Sequence, residues 1–242
     1  MKSCFGLVLA CNLLIFSTAA FGQGESVLGP VGVGVKVSTL GVGAEVATSV
    51  VRRINLRAGF NVLGYSRGFD KDGISYDGHV NFKTVEGHVD IFPFGGKFHV
   101  SPGIIAYVAD PIKATALVNG GQSFTLGGVT YYSDTAAPTT GTGKINFNQA
   151  APTLTVGWGN LVPRRHSKHI SVPVELGVAF QGSPQATLNL AGNVCASPGA
   201  GCRSVSDPTV QANVAAEQNK INNSMSFFQA YPIISVGFGY KF

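Results

Sequence analysis

The stretch that decides the fold is Ile54-Asn55-Leu56-Arg57-Ala58-Gly59-Phe60-Asn61-Val62. Its even positions are apolar, whereas its odd positions carry Asn, Arg, Gly and Asn. Successive side chains of a β-strand point to opposite faces, so this alternation predicts a strand with one apolar face. The same period of two predicts strands over 31–38, 41–49, 54–66, 76–92, 97–109, 144–159, 169–181 and 230–242.

The composition of the chain argues against a soluble domain. Charged residues make up 12% of the sequence, roughly half the usual share, and 32 residues are Gly. The strand face opposite the apolar one is rich in Gly and poor in charge, so neither face is suited to water. We therefore expect an all-β fold, a closed antiparallel transmembrane β-barrel of about 8 strands, because lipid offers no partner to an open sheet edge. A water-soluble sandwich is the alternative, and the barrel would have about 10 strands if 112–118 and 124–132 entered its wall.

The start of the chain predicts export. Lys2 precedes an apolar run over 4–16, and small residues follow over 17–22, so residues 1–22 are expected to be a cleaved signal peptide. A membrane anchor would need a run of roughly 20 apolar residues, and a lipoprotein signal ending at Cys11 would leave too short a run before it. Residues 23–242 are then expected to form one barrel domain in the outer membrane of a Gram-negative-type bacterium.

The connections between strands differ in length. Those at 50–53, 94–96 and 162–166 are short and are expected on the periplasmic side, whereas 68–73, 110–143 and 182–229 are longer and are expected outside. In the last of these, Cys195 and Cys202 predict a local disulfide, since zinc would need further ligands nearby. Asp207-Pro208 offers an N-cap and a first-turn proline, which predicts a short helix in this loop.

Two predicted strands change phase in their middles. Val80 and Phe82 are even, whereas Val85, Val89 and Ile91 are odd. This strand needs a β-bulge near Thr84-Val85, or only its later half faces lipid. A similar change near 148–149 interrupts the strand over 144–159. We expect both to be long strands that project beyond the membrane.

The inward face of the predicted barrel carries most of its charge. A barrel of about eight strands has a narrow lumen, in which opposite charges are expected to pair. An ion-pair plug is the simplest interpretation, and a gate that exchanges partners is the alternative. The candidate lumen residues are Lys36, Glu45, Arg57, Glu86, His88, Asp90, His99, Glu175 and Lys241.

The last strand carries a resemblance to a known family. Ile234-Ser235-Val236-Gly237-Phe238-Gly239-Tyr240-Lys241-Phe242 resembles the C-terminal signature of outer-membrane barrels, with Phe238, Tyr240 and Phe242 on one face. The resemblance implies recognition by the barrel assembly machinery. In layout the chain is similar to the transmembrane domain of outer membrane protein A, without a periplasmic domain after it.

Several functions stay open at this stage. We expect an outer-membrane barrel in contact with lipid, with a structural or surface-interaction role and an unidentified loop partner. A narrow gated channel for small hydrophilic solutes is the alternative. Ser75, Asp77 and His79 share one face, but no nucleophile-elbow motif accompanies them, so a lipid-modifying enzyme is remote and we predict no enzymatic activity. No cofactor or metal is expected, and the scattered Lys and Arg residues argue against nucleic acid.

Overall fold

The computed structural model describes residues 29–71, 74–108, 112–163 and 169–242, so the signal peptide predicted over 1–22 lies outside the described residues. Its elements, in chain order, are β1 (Val31–Ser38), β2 (Gly41–Val51), β3 (Ile54–Lys71), β4 (Ile74–Ile91), β5 (Phe98–Tyr107), β6 (Ile112–Val118), β7 (Ser123–Leu126), β8 (Val129–Ser133), β9 (Thr140–Asn146), β10 (Ala150–Trp158), β11 (Ile170–Ser171), β12 (Val174–Phe180), β13 (Gln185–Ala191), β14 (Asn193–Ser197), β15 (Ala200–Ser204), α1 (Pro208–Met225) and β16 (Ala230–Lys241).

Eight strands close into an antiparallel barrel. The ring runs β1, β2, β3, β4, β5, β10, β12 and β16, and β16 pairs back with β1. The short β11 also pairs with β16, in the same register as β12, on the other side of Pro173. The predicted closed barrel of eight strands is confirmed. The ten-strand alternative is wrong, because β6 pairs with β4 only beyond the end of β5, and β7 and β8 belong to a separate sheet.

The phase change in β4 follows the second of its two predicted alternatives, and one other strand prediction needs correction. β3 and β4 keep one register along the whole of β4, so no bulge occurs at Thr84-Val85. Phe82 instead points into the barrel with Thr84 and Glu86, and the odd residues of the later half face outward. The strand predicted over 144–159 is two strands, β9 and β10, which belong to different parts of the fold.

The barrel has two different ends. The end that carries the connections at 52–53, 92–97 and 159–169 is called the turn end, and the opposite end is called the loop end. Exposed apolar side chains cover the outside of the wall between them, including Val35, Phe60, Leu176, Val236 and Phe238. A soluble monomer rarely exposes an apolar patch larger than a few hundred Å². The outer face therefore has the chemistry of a surface in contact with lipid.

A second unit stands above the loop end. We call residues 112–146 and 185–225 the cap. Beyond the barrel rim, β6 takes the place of β5 beside β4, and β9 and β13 extend that sheet. A second sheet follows the order β15, β14, β8 and β7, and a hairpin between β7 and β8 turns at Gly127-Gly128. The cap has its own core, formed by Leu126, Tyr131, Val194, Val205, Val210 and Val214.

The helix α1 covers the free edge of the cap sheet. Among the described residues, β13 pairs only with β9. On its other edge, the N–H of Ala186 donates to Asn222 Oδ1 at 2.7 Å, and the N–H of Leu188 donates to Gln218 Oε1 at 3.1 Å. Uncovered strand edges invite pairing with another chain, so these two amides protect the edge.

The start of α1 follows the predicted capping pattern. Asp207 precedes Pro208, and its carboxylate accepts the N–H of Thr209 at 2.9 Å. Hydrogen bonds from the hydroxyl and the N–H of Thr209 lower the pKa of Asp207. The helix is longer than the short one expected, and it buries Val210 and Val214. No helix within the described part of the chain is long and apolar enough to cross a membrane.

The disulfide joins Cys195 of β14 to Cys202 of β15. Replacing both cysteines by Ser should destabilise the cap by about 2 kcal/mol, because the bond closes a short loop in the unfolded chain. Hydrogen exchange is the measurement, with faster exchange expected over 193–204 and unchanged exchange in β1 and β2. Equal acceleration in the barrel strands would contradict the separate folding of the cap.

Candidate functional site

Arg57 is the centre of a charged cluster inside the barrel. It lies on the inward face of β3, and its side chain is 3% exposed. Its Nη2 lies 3.0 Å from Asp90 Oδ1 and 2.6 Å from Glu175 Oε1, and its Nη1 lies 3.1 Å from Glu45 Oε2. The planar guanidinium thus links carboxylates from β2, β4 and β12 across the lumen.

A second cation completes the cluster toward the loop end. Lys36 on β1 forms an ion pair with Glu86 on β4, and its Nζ lies 3.6 Å from Glu45 Oε2. The amide of Asn61 donates to Glu86 Oε2 at 3.1 Å. Since Glu45 contacts both Lys36 and Arg57, the two ion-pair groups form one network.

Two imidazoles border the same network. His99 Nε2 lies 3.1 Å from Glu175 Oε1, and His88 Nε2 lies 3.8 Å from Glu86 Oε2. The network holds the carboxylates of Glu45, Glu86, Asp90 and Glu175 against the permanent charges of Lys36 and Arg57. The two imidazoles therefore lie beside a group in which carboxylates outnumber the permanent cations.

Glycine makes room for these rings. A Cβ at Gly103 would lie 2.4 Å from His88 Nδ1, and a Cβ at Gly157 would lie 2.5 Å from His99 Nε2. Any larger residue at either position would push the imidazole out of its place. The Gly-rich inward face is thus matched to the bulk of the charged side chains.

An apolar layer lies in the lumen above the network. Leu40 folds in from the turn between β1 and β2, and it packs with Ile105, Ala151, Ala179 and Ile233. The ring of Phe82 lies about 6 Å from three other aromatic rings, which belong to Tyr107, Phe147 and Tyr231. The loop end of the lumen is therefore filled by side chains.

The loop over 160–162 fills the lumen from the turn end. After β10 the chain enters the barrel, where Leu161 and Val162 pack against Ala47 and are at most 4% exposed. Asn55 donates to Asn160 Oδ1 at 2.9 Å, which holds this loop in place. The cavity left beside Arg57 has a volume of about 10 Å³, which is the lower limit for a single water molecule.

The structure places every predicted lumen residue inside the barrel, but it does not bring them all together. Lys36, Glu45, Arg57, Glu86, His88, Asp90, His99 and Glu175 form the network described above. Lys241 is also buried, yet it lies near the turn end, where it donates to the carbonyl oxygen of Pro163 at 2.7 Å. Phe238, Tyr240 and Phe242 lie on the outer face and are 51%, 44% and 73% exposed.

Two clusters have the donor atoms of a metal site. Ligand atoms of Asp90, His99 and Glu175 lie within 4.8 Å of one another, but the guanidinium of Arg57 contacts both carboxylates and occupies the position of a cation. Asp134 lies equally close to Cys195 and Cys202, whose sulfurs are joined in the disulfide. Neither cluster therefore has the free donors that a metal ion requires.

The residues considered for catalysis, Ser75, Asp77 and His79, share one face of β4 as predicted, but they do not form one hydrogen-bonded group. His79 Nε2 lies 3.3 Å from Asp77 Oδ2, and its Nδ1 lies 2.8 Å from the hydroxyl of Ser66, not of Ser75. Both Asp77 and His79 are more than half exposed, so water competes for each of these contacts. Ser75 pairs with Asp70 further along the strands.

Sequence reasoning missed several residues of the lumen. Ser101 donates to Asp90 Oδ1 at 2.6 Å, and Thr84 accepts from Asn61 at 3.1 Å. Both lie at inward positions of the alternating pattern, which was the signal that could have identified them. The loop over 160–162 has no periodic pattern and gave no such signal.

Comparison with known proteins identifies relatives of the fold. No protein-family model and no curated protein matches the chain. The crystal structure of Acinetobacter baumannii CarO is 22% identical, with a TM-score of 0.54, and the match covers 88% of this chain and 98% of CarO. Acinetobacter baumannii CarO2 is 21% identical, with a TM-score of 0.55 and coverage of 89% and 99%.

At this level of identity the likeness shows the fold alone. The chain and the two CarO structures share a barrel architecture over nearly their whole lengths. The resemblance to outer membrane protein A stays a prediction.

The network predicts a strong effect of removing its central cation. Arg57→Met should destabilise the folded barrel by about 3–5 kcal/mol, because Glu45, Asp90 and Glu175 would lose their shared partner in a buried site. Urea unfolding of the refolded protein, followed by heat-modifiable gel mobility, measures the change. Arg53→Met is the matched control, since Arg53 is an exposed turn residue. Similar destabilisation by both variants would contradict the role of the network.

Proposed function

We propose that this chain is an integral outer-membrane β-barrel protein with a structural or surface-interaction role. Its barrel holds the cap at the membrane surface, and its lumen is closed. The observation that carries this proposal is the filling of the lumen by the Arg57 network between two apolar layers. A pore needs a continuous polar path through the lumen. The network and the two apolar layers on either side of it interrupt such a path.

The outer wall supports the membrane part of the proposal. Its apolar side chains surround the barrel, and ring closure leaves every wall strand paired on both sides over most of its length. A structure that spans a lipid bilayer requires both an apolar outer surface and paired backbone groups. The CarO structures support the barrel architecture at the level of fold.

The cap supports the surface-interaction part. It has an apolar core of its own, a disulfide and a covered sheet edge, so it is a folded unit and not a set of loose loops. Binding residues are often carried on segments that a rigid scaffold positions. We propose that the partner of this protein binds at the cap.

Epitope accessibility tests both the location and the orientation. An epitope inserted after Gly199, in the exposed turn between β14 and β15, should be labelled on intact cells. The matched insertion after Gly96, in an exposed connection at the turn end, should be labelled only after the outer membrane is permeabilised. The reverse pattern would contradict the orientation, and labelling of neither in folded, membrane-extracted protein would contradict the location.

A gated channel is the second candidate, and one observation favours it. Several polar atoms inside the wall have no hydrogen-bond partner: Asn61 Oδ1, His88 Nδ1, Thr153 Oγ1 and Thr155 Oγ1. Buried polar atoms usually find a partner, and water in a transient path would provide one. The gate would require Lys36 and Arg57 to exchange carboxylates.

The swelling rate of liposomes in small hydrophilic solutes separates the two candidates. Glu86→Gln should leave the rate at the level of protein-free liposomes if the lumen is a plug, because the apolar layers remain. A gate predicts a faster rate in this variant, since Lys36 loses its main partner. Asp77→Asn, which changes an exposed carboxylate outside the lumen, is the control.

A further inference from the structure

A notch opens in the barrel wall at the turn end. β10 ends at Trp158, and the chain turns inward at Gly159, where φ is +138° and a Cβ would lie 2.5 Å from the Cα of Pro173. Only glycine combines this backbone angle with so close an approach. Because the next residues enter the lumen, a cavity of about 610 Å³ is left in the wall between Lys97 and β11.

One edge of β11 faces this notch. Among the described residues, β11 pairs only with β16. On the side toward β16, the backbone N–H groups of Gly237 and Lys241 donate to the carbonyls of Pro173 and His169. Since backbone groups alternate along a strand, those of Ile170 and Val172 point away from β16 and toward the notch. Backbone donors at the rim of a membrane barrel require a polar partner.

The notch is apolar toward the outside of the wall and carries an exposed lysine at its rim. Trp158, Ile170 and Val172 line it and are 61%, 59% and 56% exposed on the outer face. Lys97, which also lines it, is exposed.

We propose that this notch binds one anionic phospholipid of the membrane leaflet at the turn end. The phosphate accepts hydrogen bonds from the backbone of β11 and an ion pair from Lys97. One acyl chain lies on Trp158, Ile170 and Val172. Lys97 selects an anionic over a zwitterionic headgroup, because a Lys near an anionic membrane surface contributes about 1 kcal/mol. The inference rests on the proposed membrane location.

The chain offers a direct probe, since Trp158 is its only tryptophan. The full-length mature protein is refolded into phosphatidylcholine vesicles that contain a small fraction of brominated lipid, which quenches tryptophan on contact. Brominated phosphatidylglycerol should quench Trp158 more strongly than brominated phosphatidylcholine at the same fraction. Millimolar inorganic phosphate should not reverse the difference, and a reversal would assign the notch to free phosphate and overturn the lipid proposal.

Lys97→Gln should lower the relative affinity for the anionic lipid about fivefold, the factor expected for one Lys at such a surface. The matched control is Lys83→Gln, which removes an exposed Lys near the loop end and should leave the preference unchanged. Equal quenching by the two lipids in the wild type would overturn the lipid site alone. Absence of quenching by either lipid would overturn the membrane location as well.

Discussion

The ion pairs of Arg57 are the interaction on which the rest of this structure depends. The guanidinium lies among carboxylates from three different strands in a lumen with almost no room for water. Buried charges of this kind are tolerated only when they are paired, so the network constrains the positions of the wall strands that contribute to it. The inward glycines follow from the same constraint. Gly103 and Gly157 leave the space that His88 and His99 occupy.

The filling of the lumen bears on where function is to be sought. The network lies between the apolar layer of the loop end and the inward loop of the turn end, which supports our proposal that the barrel anchors the cap and does not conduct solutes. That inward loop has a second effect, because it leaves β10 short and opens the notch beside β11. The cap, in contrast, is finished as a folded unit, with side chains of α1 covering its free edge.

The period of two predicted the barrel strands to within a few residues at most ends, because a wall that separates lipid from a narrow lumen imposes alternation on every strand. The pattern failed at residues whose position is set by other packing requirements. Phe82 is apolar and inward because the loop end of the lumen is filled with aromatic rings, so its phase suggested a bulge that does not exist. The single strand predicted over 144–159 is two strands, because β9 belongs to the cap sheet and β10 to the barrel. The cap strands alternate in the same way as the wall strands, so the period of two did not reveal the boundary. The placement of Leu161 and Val162 could not be predicted, since a buried loop has no period. The partners of Arg57 could be named as inward residues, but their distances depend on the registers of three separate strand pairs.

Electrical conductance of the wild-type protein tests the central claim most directly. The refolded mature chain would be inserted into a planar bilayer, with heat-modifiable gel mobility showing that it has folded. The closed lumen predicts a folded protein that produces no discrete current steps across the voltages the bilayer tolerates. Reproducible single-channel openings by the folded wild type would contradict the account, because ions would then have a path through the Arg57 network.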